Sequence, residues 1–159
     1  MKILLALDGS EHSEGIVREV VRRHFPPGSE VRVISVVERL YFPGAGSSDG
    51  VDIVGRYDEI EKSARDAARA TVEKAAAKLR ASRESGKFTI TTEVLSGSPK
   101  SVILEDAEAF GADLIVVGSH GRGMLERFLL GSVSQAVALH AKCSVEIVRT
   151  PNAQTSDGK

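Results

Sequence analysis

Five short apolar runs, separated by segments of helical periodicity, constrain what this chain can fold into more than any other feature. Residues 3–7, Ile-Leu-Leu-Ala-Leu, run without interruption into Asp8-Gly9-Ser10. Val31, Val33, Ile34, Val36 and Val37 form a second run, Leu114-Ile115-Val116-Val117 a fourth, and residues 145–149 a last one. Strands that are apolar on both faces belong inside a parallel sheet, because a one-sided antiparallel strand alternates apolar and polar residues. The third run does alternate: Phe88, Ile90, Thr92 and Val94 interleave with Thr89, Thr91 and Glu93. That pattern suits the outermost strand of a sheet.

The intervening segments read as helices. Ile16, Val17, Val20 and Val21 recur at helical spacing after Ser10 or Ser13, either of which can serve as N-cap, and Pro26-Pro27-Gly28 ends the segment. Ile60, Ala64, Ala67, Ala68, Thr71, Ala75 and Leu79 mark one face of a long alanine-rich helix. Ser98-Pro99 opens a third, with Val102, Ile103, Ala107 and Phe110 inside and Gly111 as its stop. Val133, Ala136, Val137 and His140 mark a fourth. The order βαβαβαβαβ calls for an α/β fold, a parallel sheet covered by helices on both faces through right-handed crossovers. One domain over residues 1–150 is expected, with a flexible Gly/Ser/Pro-containing loop at 38–56 and a disordered polar tail at 151–159. Such sheets bind ligands beyond the carboxyl ends of their strands, where strand order reverses. The loops after strands one and four are therefore the candidate site.

Charge narrows the partners. Twenty-one basic against twenty-two acidic residues give a net charge of -1, so no global positive field attracts nucleic acid or anionic lipid. The first apolar run stops at Asp8, too short for a signal peptide or a membrane span, and a cytoplasmic protein is expected. Cys143 is the single cysteine; it reads as a small buried apolar residue. His12, His24 and His140 lack metal-ligand spacing.

Gly118-Ser119-His120-Gly121 follows the fourth strand directly, and Gly131-Ser132 opens the last helix. Glycines admit close backbone approach, while the free N–H groups and dipole of a helix start favour an anion. Ser132 adds a hydroxyl donor and Arg122 a charged one. Alone, the same glycines would equally build a turn and a helix junction. A Walker-type loop is excluded because Gly131, not lysine, precedes Ser132, and a dinucleotide fingerprint is excluded because Gly9 stands alone after the first strand.

The spacing Gly118-x-x-Gly121, nine residues, then Gly131-Ser132 resembles the ATP-binding branch of the universal stress proteins. The resemblance extends to residues 3–10, to Gly97-Ser98-Pro99 and to residues 113–122, and so to nearly the whole chain. It implies a Rossmann-like three-layer sandwich, similar to the adenine nucleotide α-hydrolases, with a five-stranded parallel sheet in the order 3-2-1-4-5. It further implies ATP with Mg²⁺ as ligand: Gly118, Gly121, Gly131, Ser132 and the Val133 backbone at the phosphates and ribose, and Ala6, Asp8 and Val36 lining the adenine and ribose pocket. Asp8 can accept from a ribose hydroxyl, orient water on Mg²⁺, or cap the first helix. His120 can reach phosphate or solvent, but nothing in the sequence supplies a nucleophile and acidic partner for it as a catalytic base. Relatives commonly pair their last strands as homodimers; here that strand, 145–149, carries Glu146 between Val145 and Ile147 and lacks the usual Cys-Pro. The expected function is a nucleotide-dependent stress-response module with at most slow ATP hydrolysis and no catalytic residues. A nucleotide-free scaffold of the same fold and an enzyme cleaving ATP at the α-phosphate are the alternatives; residues 7–13 lack the Ser-Gly-Gly-x-Asp-Ser of the latter.

Overall fold

The structure, a computed structural model, describes residues 1–38, 51–82, 88–119, 121 and 130–149. Most of the expected 38–56 loop, the 151–159 tail, His120 and Arg122 lie outside the described residues. The elements follow in the order β1 (Lys2–Ala6), α1 (Glu11–Arg22), β2 (Ser29–Val37), α2 (Val51–Arg80), β3 (Phe88–Ser96), α3 (Pro99–Phe110), β4 (Leu114–Gly118), α4 (Ser132–His140) and β5 (Ser144–Val148). They build an α/β fold whose five-stranded sheet runs β3-β2-β1-β4-β5, every pair parallel. Central β1 takes Leu5 between Val33 on β2 and Val116 on β4. Strand order reverses between β1 and β4, which opens a crevice at their carboxyl ends.

Alternation along the strands divides the core into two layers. Ile3, Leu5, Val31, Val33, Leu114 and Val116 pack against Ile16, Val17 and Val20 of α1 and Val72, Ala75 and Leu79 of α2. Leu4, Ala6, Ile34, Ile115 and Val117 face Ile103 and Ala107 of α3 and Val137 of α4. Burial on both faces is what makes these strands continuously apolar. β3 is an edge strand, as its alternation predicts.

Three local readings change. α2 begins at Val51, so residues 51–56 are helical rather than loop. Its buried face is Ala68, Val72, Ala75, Ala76 and Leu79, whereas Ile60 is 51% exposed and Ala67 is exposed. A helix of 30 residues spans about 45 Å, against roughly 30 Å for the nine residues of β3. Arg65 already donates to Ser96 at the last position of β3 (2.9 Å), so the helix outruns the strand beneath it. Cys143 is half-buried rather than buried. Burial pushes its thiol up, helped by the Asp113 charge, which keeps it protonated and a poor nucleophile.

Two charged side chains enter the layers with partners. Arg32 of β2 donates to Asp106 of α3 at 2.8 Å and lies 4.4 Å from the Phe110 ring centroid. Glu146 of β5 turns under the end of α1 and meets Arg23 at 2.7 Å, its side chain 17% exposed. Burial pushes the Glu146 carboxyl up, with Arg23 opposing the shift. The polar face read in this strand is thus one paired, inward-pointing carboxylate, a device that discourages unspecific pairing at a sheet edge.

Candidate functional site

The chain leaves β1 through Leu7, whose N–H donates to the Ile34 carbonyl at 2.9 Å. Gly9, at φ 75°, then turns it into α1. The turn is organised on one carboxylate oxygen. Asp8 Oδ1 accepts from the Ser10 N–H (3.0 Å), the Ser10 hydroxyl (2.7 Å) and the Ser13 hydroxyl (3.1 Å). Ser13 Oγ in turn accepts from the Gly9 N–H at 3.1 Å. Ser10 occupies the N-cap position, yet its side chain makes no cap bond; it serves Asp8 instead. The other oxygen, Asp8 Oδ2, is buried and has no hydrogen-bond partner among the described residues. It faces Gly121, where an added β-carbon would lie 3.2 Å away. Of the roles open to Asp8 in the sequence, the helix start takes one oxygen and leaves the second for a donor.

β4 delivers the facing wall. Ser119, buried just past Gly118, donates its N–H to the Val148 carbonyl at 2.9 Å. Its own carbonyl accepts from the Gly131 N–H at 2.7 Å and from the Ser134 hydroxyl at 3.3 Å; Ser134 also reaches the Gly131 carbonyl at 2.8 Å. Ser119 and Gly131 are therefore joined directly, and α4 starts at that bond. Gly131, at φ −60° and ψ 149°, adopts a conformation open to any residue. Ser132 is exposed at the first position of α4, and helix geometry leaves the first-turn N–H groups, including that of Val133, without intrahelical acceptors. The Val133 side chain packs on the α3/α4 core.

Asp8, Gly118, Gly121, Gly131 and Ser132 are thus gathered at the carboxyl ends of β1 and β4. Ala6 is buried and Val36 half-buried, both on the α3/α4 face. The positions of His120 and Arg122 are outside the described residues. Sequence reasoning missed the work of Ser13, Ser119 and Ser134. Hydroxyls and main-chain groups that bond across a turn or to a neighbouring carbonyl follow no periodicity, so the sequence offers Ser13 only as an N-cap candidate and gives no signal for the bonds of Ser119 and Ser134.

The donor set suits a polyphosphate with a hydroxylated sugar: helix N–H groups and a serine for the anion, a free carboxylate oxygen for a donor. No group of three or more His, Cys, Asp or Glu able to hold a metal exists among the described residues. Mg²⁺ fits here only as an ion shared between a ligand's phosphates, water and one carboxylate, its usual habit. A cavity of about 350 Å³ adjoins the Asp8 turn, lined by Gly9, Ser10, Ser13, Lys74 and Lys78 among others. The larger groove of about 730 Å³ lies between α2 and β3, lined mostly by charged side chains and by none of the motif residues; its size carries no bearing on the chemistry at β1 and β4.

The fold and this crevice define a doubly wound α/β domain of the kind that binds nucleotides at the switch point. The chain belongs to the universal stress protein family, whose family model matches residues 1–149. It is similar to the universal stress protein MJ0531 of Methanocaldococcus jannaschii, 33% identical over 150 residues, covering 94% of this chain and 82% of that one. Among solved structures it resembles protein MJ0577, 26% identical with a TM-score of 0.77 over 96% of this chain and 97% of that one. An Arabidopsis thaliana family member with AMP bound is 19% identical, with a TM-score of 0.62 over 98% and 95%. Two further family structures, each 23% identical, are complexes with cAMP and with dAMP. At these lower identities the likeness is one of fold. No described helix is long and apolar enough to cross a membrane.

Proposed function

We propose that this chain is an ATP-binding regulatory module of the stress response, holding the nucleotide with Mg²⁺ between Asp8 and the 118–132 segment. The observation that carries the reading is Asp8 Oδ2, a buried carboxylate oxygen without a partner among the described residues, aimed at a glycine whose missing side chain keeps the space before it open. An orphaned buried acceptor costs free energy unless something donates to it, and a ribose hydroxyl or metal-bound water would do so. The first turn of α4 and Ser132 then receive phosphate oxygens, with Arg122 and His120 in the intervening segment available to them. Adenine nucleotides in family structures agree with this ligand class.

Mg²⁺, when bound, neutralises phosphate charge; the chain's own residues bind and orient. No lysine stands before Ser132 to stabilise a transferring phosphoryl group, so hydrolysis is slow at most. Occupancy, rather than turnover, is the signal. The working form is a homodimer joined through β5. Ser144 donates its N–H inward to Asp113, and Val148 accepts inward from Ser119. The period of two then turns the N–H and C=O groups of Val145 and Ile147 toward the open edge, ready to pair with a second copy.

The test is to release and identify by mass spectrometry any nucleotide retained by freshly purified protein, then to titrate ATP with Mg²⁺ by calorimetry and weigh the particle by light scattering. Binding at micromolar or tighter affinity by a dimer is expected. Protein that carries no nucleotide and takes up no added ATP is the nucleotide-free scaffold instead.

A further inference from the structure

We infer that Ser13 is a positioning residue of the nucleotide site, acting through Asp8 to set which hydroxyl-bearing ligands the site accepts. The inference rests on the nucleotide reading above and deepens it. Ser13 sits in the first turn of α1 and is 6% exposed. Its hydroxyl joins two groups: it donates to Asp8 Oδ1 at 3.1 Å and accepts from the Gly9 N–H at 3.1 Å. The hydroxyl proton is therefore committed to the carboxylate, because Oγ meets the Gly9 N–H as an acceptor.

The consequence lies in the asymmetry of Asp8. Three donors converge on Oδ1, two from Ser10 and one from Ser13, while Oδ2 receives none among the described residues. A carboxylate rotates about its Cβ–Cγ bond and presents either oxygen or both unless its surroundings choose. The bonds from Ser10 are local and move with the same turn. Ser13 belongs to α1, held in the core by Ile16, Val17 and Val20, so its bond ties the carboxylate to the rigid body of the domain. It also holds Gly9 at the left-handed φ that the turn requires. Without Ser13 the plane of the carboxylate is free to swing, and Oδ2 is no longer held toward Gly121. The ligand class selected is one with a hydroxyl donor where Oδ2 points: a ribonucleotide rather than its deoxy counterpart.

The experiment compares ATP, 2′-deoxy-ATP and 3′-deoxy-ATP by calorimetry on the wild-type chain, Ser13→Ala, Ser13→Thr, Asp8→Asn and the Asp8→Asn/Ser13→Ala double variant. Ser13→Ala is expected to weaken ATP about 5- to 20-fold, the loss of one charge-assisted contact read through a second residue. It should also narrow the preference for ATP over whichever deoxynucleotide lacks the recognised hydroxyl. Ser13→Thr, which keeps the hydroxyl, restores the preference, and Ser13→Ala adds nothing in the Asp8→Asn background because the two act as one unit. Should the alanine variant fail to fold, Ser13→Cys, nearly the same size with a weak S–H donor, reads the same contact. A Ser13 variant that binds ATP with wild-type affinity and preference overturns the inference, as does an equal loss for ATP and both deoxynucleotides. Failure of the wild-type chain to bind ATP at all is a different result, and sinks the nucleotide reading itself.

Discussion

Replacing Gly121 with alanine separates binding from folding. The new β-carbon would stand 3.2 Å from Asp8 Oδ2, inside the roughly 3.5–4.0 Å of ordinary non-bonded contact. Gly121 is exposed and its φ lies outside the left-handed region, so alanine adds no backbone strain. Lost freedom in the unfolded chain stabilises such a variant by about 0.4–1 kcal/mol. The carboxylate must yield a few tenths of an ångström, loosening its bonds to Ser10 and Ser13 and offsetting that gain. The net change in folding stability is expected within about 1 kcal/mol, a shift of about 2–4 °C in a domain of this size. Binding responds differently, because the methyl group occupies the space through which a donor reaches Oδ2. Losing a hydrogen bond to a charged acceptor costs about 1.5–3 kcal/mol, a roughly 10- to 150-fold weaker Kd. Calorimetric titration with ATP and Mg²⁺, paired with thermal unfolding without nucleotide, reads both quantities. Wild-type affinity in the alanine variant would refute the placement of the ligand before Asp8. A melting temperature lowered by more than about 5 °C would instead make this approach a structural joint.

Ser132→Ala removes a phosphate donor at the start of α4 and is expected to weaken ATP about 10- to 150-fold by calorimetry; unchanged affinity takes Ser132 out of the site. Arg32→Ala leaves Asp106, 12% exposed, without its cation and uncovers Phe110. Because Arg32 itself is 27% exposed, the expected loss is about 3 kcal/mol in urea unfolding, the low end for a broken buried pair; a loss like that of a surface pair contradicts it. Glu146 has a folded-state pKa raised above the ordinary 4.5, chiefly by burial. The native state therefore holds this proton more tightly than the unfolded chain, and its ionisation subtracts stability as pH rises through the folded value. Glu146→Gln should melt above wild type at pH 7, the gap closing below pH 4.5; a gap that widens on acidification would mean the Arg23 attraction dominates.

Much of the domain is legible in its residues. Predominantly apolar runs specify interior parallel strands, even where Arg32 interrupts one, and the alternation of residues 88–94 specifies an edge, because burial on two faces or one writes itself into side-chain type. Punctuation by Ser98-Pro99 and Gly111 locates α3, since each residue meets a backbone demand few others satisfy. α2 was harder to read: alanine is compatible with both burial and exposure, so its face emerges only where the sheet lies beneath it, and Val72 and Ala76 displace Ile60 and Ala67.

At the site the division is sharper. The sequence alone suggested where to propose an anion, because glycines after one strand and Gly-Ser at a helix start carry their chemistry in the backbone and in their spacing. It also named Asp8 without choosing among its roles. Only the tertiary structure decided that Asp8 Oδ1 belongs to the turn while Oδ2 is left without a partner among the described residues, that Ser119 bonds to Gly131, and that Glu146 finds Arg23. Those outcomes depend on which atoms separate elements bring within 3 Å of one another, and a hydrogen bond between elements leaves no periodic trace along the chain.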